Sequence, residues 1–431
     1  MIIYNFNKIK YFCLIFIILI SFWRSPFIFL NGRFVAEEAT HHLFFALTNS
    51  FFSNIFYYDT FAGYYNLIAN FFLEIASKIP LEFSPFITVY GSLFFIILLP
   101  YLCLFRDSLF LDNNNKKIIG AFVLFLSPPF VSEVWVNSIN LQIYFCLIAI
   151  LILFMENLDR KQKILNNTLI FLGAFSGIYT CALIPFYILK FIKEKIRYNL
   201  YNLLILLAGN VLQIFLIIKA KIYNTLDSTV LSNDINFDLF INFFYNVFAK
   251  AILARQLTHF LWGKLNLLNI DYVLFFLIIG LFFLIISIFY FKQIRGLLKK
   301  DKILIYLISI FLIISSIVMI GGAGNYVGGR YAVIPGALIV LIILHLSFQI
   351  KQKFPKTLFA TLLTLSIFTG GYEFRPPTEN VKHQYIKQLD CVNCPIWSDE
   401  IKKWRYNKDH IIGIWPYPRK ELILGNIETN N

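Results

Sequence analysis

Long apolar runs separated by short polar clusters recur along the whole chain. A helix needs about twenty mostly apolar residues to cross the hydrocarbon core of a bilayer. The pattern therefore predicts an all-α fold, a polytopic transmembrane helical bundle of about 9 to 11 membrane segments. The predicted runs are 11–30, 84–105, 118–136, 139–155, 198–218, 272–291, 303–320, 331–348 and 357–371.

The composition supports a membrane protein. Hydrophobic residues make up 58% of the 431 residues and charged residues only 14%, well below the roughly one quarter typical of soluble domains. The net charge of +14 does not predict nucleic-acid binding, because the basic residues lie in short clusters between apolar runs, where topology signals are found. The expected partners are therefore membrane lipids and not nucleic acid.

Lysine and arginine clusters beside apolar runs mark the cytoplasmic side of a membrane protein. Lys8 and Lys10 precede the first run, which has no small-residue cleavage site and is expected to be retained. We predict a multi-pass protein of the bacterial inner (cytoplasmic) membrane, with a cytoplasmic N-terminus and an extracytoplasmic C-terminus. The other basic clusters lie within 106–117, 160–163, 190–197, 292–302 and 351–356.

The segment 164–189 lies between two basic clusters, so it must leave the cytoplasmic side and return. About 26 residues are too few for two full crossings at about 1.5 Å per residue. Two half-helices that turn near Gly173, Gly177 and Pro185 fit this length, and broken helices of this kind usually line a protein or aqueous cavity.

The segments predicted on the exported side carry the unusual residues. The longest are the loops 31–83 and 219–271. Each contains an amphipathic pattern at helical spacing, at 64–79 and at 240–261. We expect both helices to lie on the membrane surface, with their apolar faces toward lipid.

The last exported region is a short tail over 372–431, which follows the transmembrane domain over 1–371. Its pieces WSDEIKKWR and HIIGIWPYPR are aromatic enough to dock onto that domain. Cys391 and Cys394 form the motif CVNC. The sequence has no second CxxC and no histidine pair at finger-like spacing, so a local disulfide is favoured over a zinc site.

Two carboxylates and two imidazoles follow the first apolar run in the stretch FVAEEATHHLFFA. On a helix, Glu37 pairs with His41 and Glu38 with His42, each at i,i+4. The stretch lacks the order of HExxH, so we do not expect a metal. The carboxylates could be an ordinary solvated pair at a helix start, which the helix dipole favours. Their position at the membrane boundary favours a direct functional role for at least one of them.

Further polar candidates lie in the same predicted exported regions. Asp59, in YYDTFAGYY, is flanked by tyrosines that suit the stacking of sugar rings, although a plain loop turn also explains it. Asn137 and Asn140 could hydrogen-bond sugar hydroxyls, or they could cap the adjoining helices. His41 and His42 could bind a hydroxyl or a phosphate, or make structural hydrogen bonds.

These features together resemble the GT-C class of integral-membrane glycosyltransferases. The likeness covers most of the chain up to about Gly371, and its motifs are short. They are the acidic pair that opens the first exported loop, the surface helices of that loop, the stretch SPPFVSEVWVNSINLQ at 127–142, the broken segment at 164–189 and GGRYAVIPG at 328–336.

The resemblance implies an inverting transfer, outside the cytoplasm, of a sugar from a polyprenyl-phosphate-linked donor to a hydroxyl of a glycan, lipid or protein acceptor. A carboxylate of the first loop acts as general base in this class, and here it would be Glu38 or Glu37. The chemistry agrees, because a hydroxyl that attacks an anomeric carbon must lose its proton as the bond forms. No cofactor is expected, since the chain has no P-loop or Rossmann fingerprint, and no clear DxD suggests a divalent metal.

The leaving phosphate needs cationic donors outside the membrane. Arg330, with Tyr331 beside it in a glycine-rich turn, is the first candidate, and Arg255 with His259 at i,i+4 is the second. Arg330 could equally be an interfacial anchor or the partner of a carboxylate.

Two other classes of function are compatible with the sequence. A lipid or polysaccharide transporter (a flippase) also uses broken helices and intramembrane polar groups, but transporters often show inverted repeats, and none is evident here. A noncatalytic membrane assembly protein would tolerate loss of Glu37 and Glu38, and would fail when the exported helices or the tail are disturbed.

Overall fold

The computed structural model describes residues 2–126, 134–225, 237–267, 296, 300–321, 329–374, 395–415 and 420–425, and the chain is mostly helical. The described strands form two antiparallel two-stranded sheets. The elements are α1 (Ile2–Arg24), α2 (Pro26–Asn31), a π-helix (Glu38–Leu43), α3 (Phe44–Thr48), α4 (Phe51–Ile55), β1 (Tyr58–Asp59), β2 (Tyr64–Tyr65), α5 (Leu67–Ser77), α6 (Pro85–Phe105), α7 (Asn114–Leu126), α8 (Leu141–Leu153), α9 (Arg160–Ala174), a 3-10 helix (Tyr179–Leu183), α10 (Ile184–Glu194), α11 (Arg197–Ile222), α12 (Phe237–Phe243), a second π-helix (Phe244–Ala249), α13 (Lys250–Leu267), α14 (Lys302–Gly321), a 3-10 helix (Gly329–Ala332), α15 (Val333–Gln349), α16 (Lys353–Glu373), α17 (Trp397–Tyr406), β3 (Ile412–Ile414) and β4 (Lys420–Leu422).

Five of the described helical segments are long and apolar enough to cross a membrane. A sixth is counted when the pair Arg160–Ala174 and Tyr179–Glu194, bent by 119°, is taken as one span. The helix is thus confirmed to break within 164–189. The five segments are Phe6–Arg24, Pro85–Phe105, Arg197–Ile222, Lys302–Ile320 and Gly329–Gln349.

Two predicted spans differ from the structure. The first run is two helices, because Ser25 precedes Pro26 and takes an extended φ of −150°, and a residue before proline is disfavoured in a helix. Helix α8 has 13 residues, which is about 20 Å against a hydrocarbon core of about 30 Å. The run 118–136 is described only in part, with residues 118–126 in α7. Every residue of α8 is buried, so its continuous apolar run reflects a helix enclosed by protein. The run 272–291 lies outside the described residues.

Contacts divide the chain into two compact units, of which unit 1 comprises Met1–Asp107, Val131–Ser228 and Arg375–Asn431. Within it, α8 packs against α6 and α9, and α9 packs against α11. Helices α9 and α11 approach closely at Gly209, where an added Cβ would lie 2.6 Å from the Cβ of Ala174. The glycine is what permits this backbone approach.

The loop over residues 31–83, called here the first loop, shares a hydrophobic core with the described part of the tail. The indole Nε1 of Trp397 donates to the carbonyl of Leu81, and its ring meets that of Phe34 edge-on at 4.9 Å. The docking expected from the aromatic tail sequence is thereby confirmed for this part. The core contains Phe34, Ala39, Leu43, Leu73, Ala76, Leu81, Trp397, Ile401, Trp404, Ile412, Ile414, Leu422 and Leu424.

Unit 2 comprises Ser108–Phe130 and Thr229–Phe374. Its helix α13 contains a break at Ala254, which has φ 54° and ψ −179°. Helix α16 packs against this break and satisfies the freed backbone groups. Ser366 donates to the carbonyl of Ala251 and Thr369 to that of Ile252, while the Glu373 carboxylate accepts from the N–H of Gln256.

The predicted surface helix at 64–79 is confirmed as a helix, α5, but its polar face is not exposed to solvent as the pattern suggests. Asn66, Asn70 and Glu74 of the polar face are buried in the protein, whereas Phe71 and Ile75 are exposed. The polar face is turned inward because it hydrogen-bonds the first loop. In the second amphipathic pattern the polar residues Asn246 and Lys250 are also buried, and so are Phe243, Val247 and Ala251 of its apolar face.

Candidate functional site

The acidic pair lies at the start of the first loop, shortly after α2. The C-cap residue of α2, Gly32, has a positive φ of 66°. Glu37 is the N-terminal residue before the π-helix Glu38–Leu43. Ala36 holds a left-handed φ of 43°, a costly conformation for a residue with a side chain. The N–H of Ala36 donates to the carbonyl of Trp415 at 2.7 Å. The tail therefore holds in place the strained residue that directly precedes the acidic pair.

Glu38 is completely buried and accepts three hydrogen bonds. Its Oε2 accepts from the N–H of Val35 at 2.9 Å. Its Oε1 accepts from the N–H of Ser138 at 2.8 Å and from the Ser138 hydroxyl at 2.6 Å. The carboxylate thus joins the first loop to the turn before α8, some hundred residues away in sequence. Glu37, next to it, is half-buried.

Burial raises the pKa of the Glu38 carboxyl to about 7, although the hydrogen bonds from Ser138 and Val35 and the nearby Arg33 guanidinium act in the opposite direction. Removal of a carboxylate from water disfavours its charged form. A carboxyl group with such a pKa exchanges its proton near neutral pH, as a general base must. Perturbed carboxyls of this kind are found at functional sites more often than elsewhere.

The predicted i,i+4 pair between Glu38 and His42 is wrong. His42 is buried and donates from Nδ1 to the side-chain oxygen of Asn70 at 2.8 Å. A π-helix has more residues per turn than an α-helix, so the two side chains are turned to different partners. Asn70 in turn donates to the carbonyls of Ile55 and Tyr57. Of the two roles considered for His42, the structural hydrogen bond is the one observed.

His41 and Asp59 meet across the first loop, with His41 Nδ1 2.9 Å from Asp59 Oδ2. The other carboxylate oxygen, Oδ1, accepts the N–H of Phe61 at 2.9 Å. Burial favours the neutral form of Asp59, but the hydrogen bond and charge of His41 outweigh it and lower the pKa of the carboxyl below its ordinary value. Asp59 therefore makes a loop turn, as one reading of the sequence expects, and it also orients a histidine.

The turn before α8 contributes Asn137, Ser138 and Asn140, all buried. Asn137 accepts the N–H of Ile139 at 2.8 Å and shapes the turn. Asn140 occupies the N-cap of α8 without a side-chain cap hydrogen bond. Ser138 was not predicted as a site residue, and its role in holding Glu38 is visible only in three dimensions.

The second group of candidates lies in unit 2. Arg255 Nε donates to His259 Nε2 at 3.4 Å, and His259 Nδ1 lies 2.7 Å from the Tyr245 hydroxyl. The i,i+4 neighbours Arg255 and His259 are thus in contact. Nearby Lys250 lies 4.9 Å from the Tyr245 ring centroid. Burial and the charge of Arg255 lower the pKa of Lys250 to about 8, against the opposing effect of Glu373.

Arg330 and Tyr331 lie in the 3-10 helix before α15. The Arg330 guanidinium lies over the Tyr331 ring, 5.3 Å from the ring centroid. Arg330 Nη2 is 3.4 Å from the Tyr331 hydroxyl. Cys391 and Cys394 lie outside the described residues. Among the residues that are described, no group of three or more histidine, cysteine or acidic side chains is placed to hold a metal ion.

The candidates therefore form two sets. In unit 1 the first loop and the turn before α8 gather a buried carboxylate, a histidine–aspartate pair and aromatic side chains, which suit proton transfer and the binding of hydroxyls. In unit 2 a lysine, an arginine and a histidine gather around Tyr245, which suits the binding of an anion. No family model matches this chain, and no curated protein is significantly similar to it.

Proposed function

We propose that the protein is a membrane glycosyltransferase. It transfers a sugar from a polyprenyl-phosphate-linked donor to an acceptor hydroxyl on the extracytoplasmic side, with inversion at the anomeric carbon. The proposal rests on the resemblance of the sequence motifs to the GT-C class. The observation that supports it best is the contact between Glu38 and Ser138. Its hydrogen bonds connect two of those motifs, the acidic pair and the stretch at 127–142.

The geometry suits the chemistry of such a transfer. A buried carboxyl whose pKa is about 7 is a stronger base than an exposed glutamate, and a base near neutral pKa is well matched to proton transfer. The resemblance implies that the general base is Glu38, on the π-helix, or Glu37, which directly precedes it. The donor phosphate leaves as a stable anion and needs no nucleotide site.

Cations on the exported side stabilise that anion in the proposal. Arg330 with Tyr331 and Arg255 with His259 are the proposed phosphate ligands, and Lys250 adds a third positive group beside Arg255. Charge-assisted hydrogen bonds from such groups are shorter and stronger than neutral ones. Membrane lipids, the lipid-linked sugar and the acceptor are the proposed partners, and the bacterial inner membrane is the proposed location.

The test is mass spectrometry of surface glycans and lipid-linked sugars from a deletion strain complemented with wild type, Glu37→Gln or Glu38→Gln at equal membrane levels. We expect the deletion to remove one fixed sugar from one glycan and to cause its lipid-linked donor to accumulate. Wild type should reverse both changes, and at least one Gln variant should not.

Two results would contradict the proposal. A deletion strain with an unchanged glycan and no accumulated lipid-linked sugar would exclude the transferase. Accumulation of a completed lipid-linked glycan, rather than of a single-sugar donor, would indicate a transporter instead. If both Gln variants restore the wild-type profile while the deletion does not, the transferase stands and neither carboxylate is its base.

A further inference from the structure

A histidine–carboxylate pair lies at the accessible edge of the first loop, on the same π-helix as Glu38. His41 Nδ1 is 2.9 Å from Asp59 Oδ2, and the side chains are 30% and 9% exposed. Glu38, in contrast, is 0% exposed and each of its oxygens already accepts a hydrogen bond. A general base must come within hydrogen-bond reach of the proton that it abstracts. His41 meets this condition at the surface of the loop, whereas Glu38 is enclosed.

Asp59 is fixed so that it can orient the imidazole. Its Oδ1 accepts the N–H of Phe61 at 2.9 Å and the N–H of Ala62 at 3.4 Å, while Oδ2 faces His41. A carboxylate accepts hydrogen bonds only, so it holds the proton of neutral His41 on Nδ1. The basic nitrogen is then Nε2, at the opposite edge of the ring. The same carboxylate stabilises the imidazolium that forms when Nε2 takes up a proton.

The hairpin that carries Asp59 is anchored within unit 1. Gln213 of α11 exchanges two hydrogen bonds with the backbone of Tyr65, each 3.0 Å long. This contact fixes strand β2 and, through it, strand β1, where Tyr58 pairs with Tyr65. Asp59 is therefore held by the scaffold, which is the condition for it to keep His41 in one orientation.

Aromatic rings border the pair and suit a sugar. The ring of Phe61, which is largely exposed, lies 6.2 Å from that of His41. Lys219 of α11 lies 4.9 Å from the ring centroid of Tyr58, beside Asp59. Aromatic faces bind the apolar face of a sugar ring, while the polar groups at their edge meet its hydroxyls. Within the described part of the chain, His41, Glu37 and Asp59 all act electrostatically on the neighbouring His42.

We propose, on the basis of the proposed transferase function, that His41, in place of the carboxylate that the resemblance implies, is the general base that contacts the acceptor hydroxyl and that Asp59 positions it. The acceptor oxygen forms the bond to the anomeric carbon as the bond from that carbon to the phosphate oxygen breaks. The hydroxyl proton passes to His41 Nε2, and the lipid phosphate leaves with the bonding electron pair. Glu38 is then a positioning residue, which holds the π-helix against Ser138.

The test uses membranes of the deletion strain, in which the lipid-linked donor has accumulated, mixed with purified full-length protein. Donor consumption is followed by mass spectrometry between pH 5 and 9. His410 supplies the matched control, since its Nε2 lies 2.9 Å from Glu400 and the side chains are 27% and 6% exposed, a nearly identical pair in the tail. His410→Gln tests whether loss of any such pair disturbs the protein.

We expect His41→Gln to lower the rate on the order of a hundredfold, the usual contribution of a general base. The variant should also lack the decline in activity at low pH, called here the acid limb, that protonation of the base causes in wild type. Asp59→Asn removes the charge that favours the imidazolium, so the remaining activity should fall at a lower pH than in wild type. His410→Gln and wild type should behave alike, and Glu38→Gln should lower the rate without moving the acid limb.

The inference is overturned if His41→Gln keeps the wild-type rate and acid limb, or if Asp59→Asn leaves the acid limb where it is. Failure of the function looks different, because wild-type protein then consumes no donor at any pH. A melting temperature for each variant separates loss of a catalytic group from loss of the fold. The acid limb of Asp59→Asn carries the test even when its rate is low, since its position depends on the pKa of the base and not on the amount of active protein.

Discussion

The burial of Glu38 makes a quantitative prediction about stability. Burial raises its pKa from an ordinary 4.5 to about 7, and each pKa unit corresponds to about 1.36 kcal/mol. The protonated form is thus favoured in the folded state by about 3 kcal/mol relative to the unfolded state. Because the folded pKa is the higher one, this stabilisation is fully present below pH 4.5 and is lost as the pH rises through 7.

Glu38→Gln replaces the titrating carboxyl with a neutral group of the same shape. The amide has one acceptor oxygen for the donors Val35 and Ser138, so a constant loss of stability is expected at every pH. The pH-dependent contribution of residue 38 to the free energy of unfolding should disappear in the variant. Between pH 5 and 9 the free energy of unfolding of wild type should therefore fall by about 2 to 3 kcal/mol relative to the variant.

The assay is thermal unfolding of the purified, detergent-solubilised protein, followed by tryptophan fluorescence at one-unit pH intervals. The quantity compared is the difference in melting temperature between wild type and Glu38→Gln at each pH, in which all other titrating groups cancel. Glu37→Gln removes one carboxylate from the neighbouring position and serves as the control. Parallel curves for wild type and Glu38→Gln would refute the inference that the buried carboxyl has a raised pKa.

Three further predictions concern the parts of unit 1 that support the site. Trp404→Ala should destabilise the shared core of the first loop and tail by about 3 to 5 kcal/mol, measured as a lower melting temperature, and an unchanged value would show that the tail is not part of that core. Gly209→Ala should reduce the amount of folded protein in the membrane, because its Cβ would lie 2.6 Å from Ala174; size-exclusion chromatography measures this, and wild-type yield would contradict the close helix approach. Gln213→Ala leaves the N–H and carbonyl of Tyr65 without their partner and should lower the free energy of unfolding by about 1 to 3 kcal/mol; a melting temperature equal to that of wild type would contradict the anchoring role.

The hydrophobic pattern predicted three of the long apolar helices well. The apolar runs at 84–105, 198–218 and 303–320 became helices of nearly the same bounds. Periodicity could not show that α8 is enclosed by protein rather than lipid, because both environments require the same apolar surface. The pattern also could not show which face of α5 is turned inward. The buried hydrogen bonds of Asn70 and Glu74 determine that orientation.

The candidate site was predictable in its residues and not in its partners. The acidic and histidine pairs stand out because ionisable side chains are rare near apolar runs. The pairing of Glu38 with His42 was predicted from α-helical spacing, and the π-helix of Glu38–Leu43 changed it. The partners Ser138 and Asp59 lie 100 and 18 residues from Glu38 and His41, respectively, and a single sequence has no signal for contacts that a loop creates.

The proposed function is the transfer of a sugar from a lipid phosphate to an acceptor. The most direct measurement is a mass balance after purified wild-type protein is added to membranes of the deletion strain. The proposal predicts that the accumulated lipid-linked sugar disappears, that the free polyprenyl phosphate increases, and that one glycan, lipid or protein gains the mass of that sugar. A lipid-linked sugar that persists unchanged while folded wild-type protein is present would contradict it.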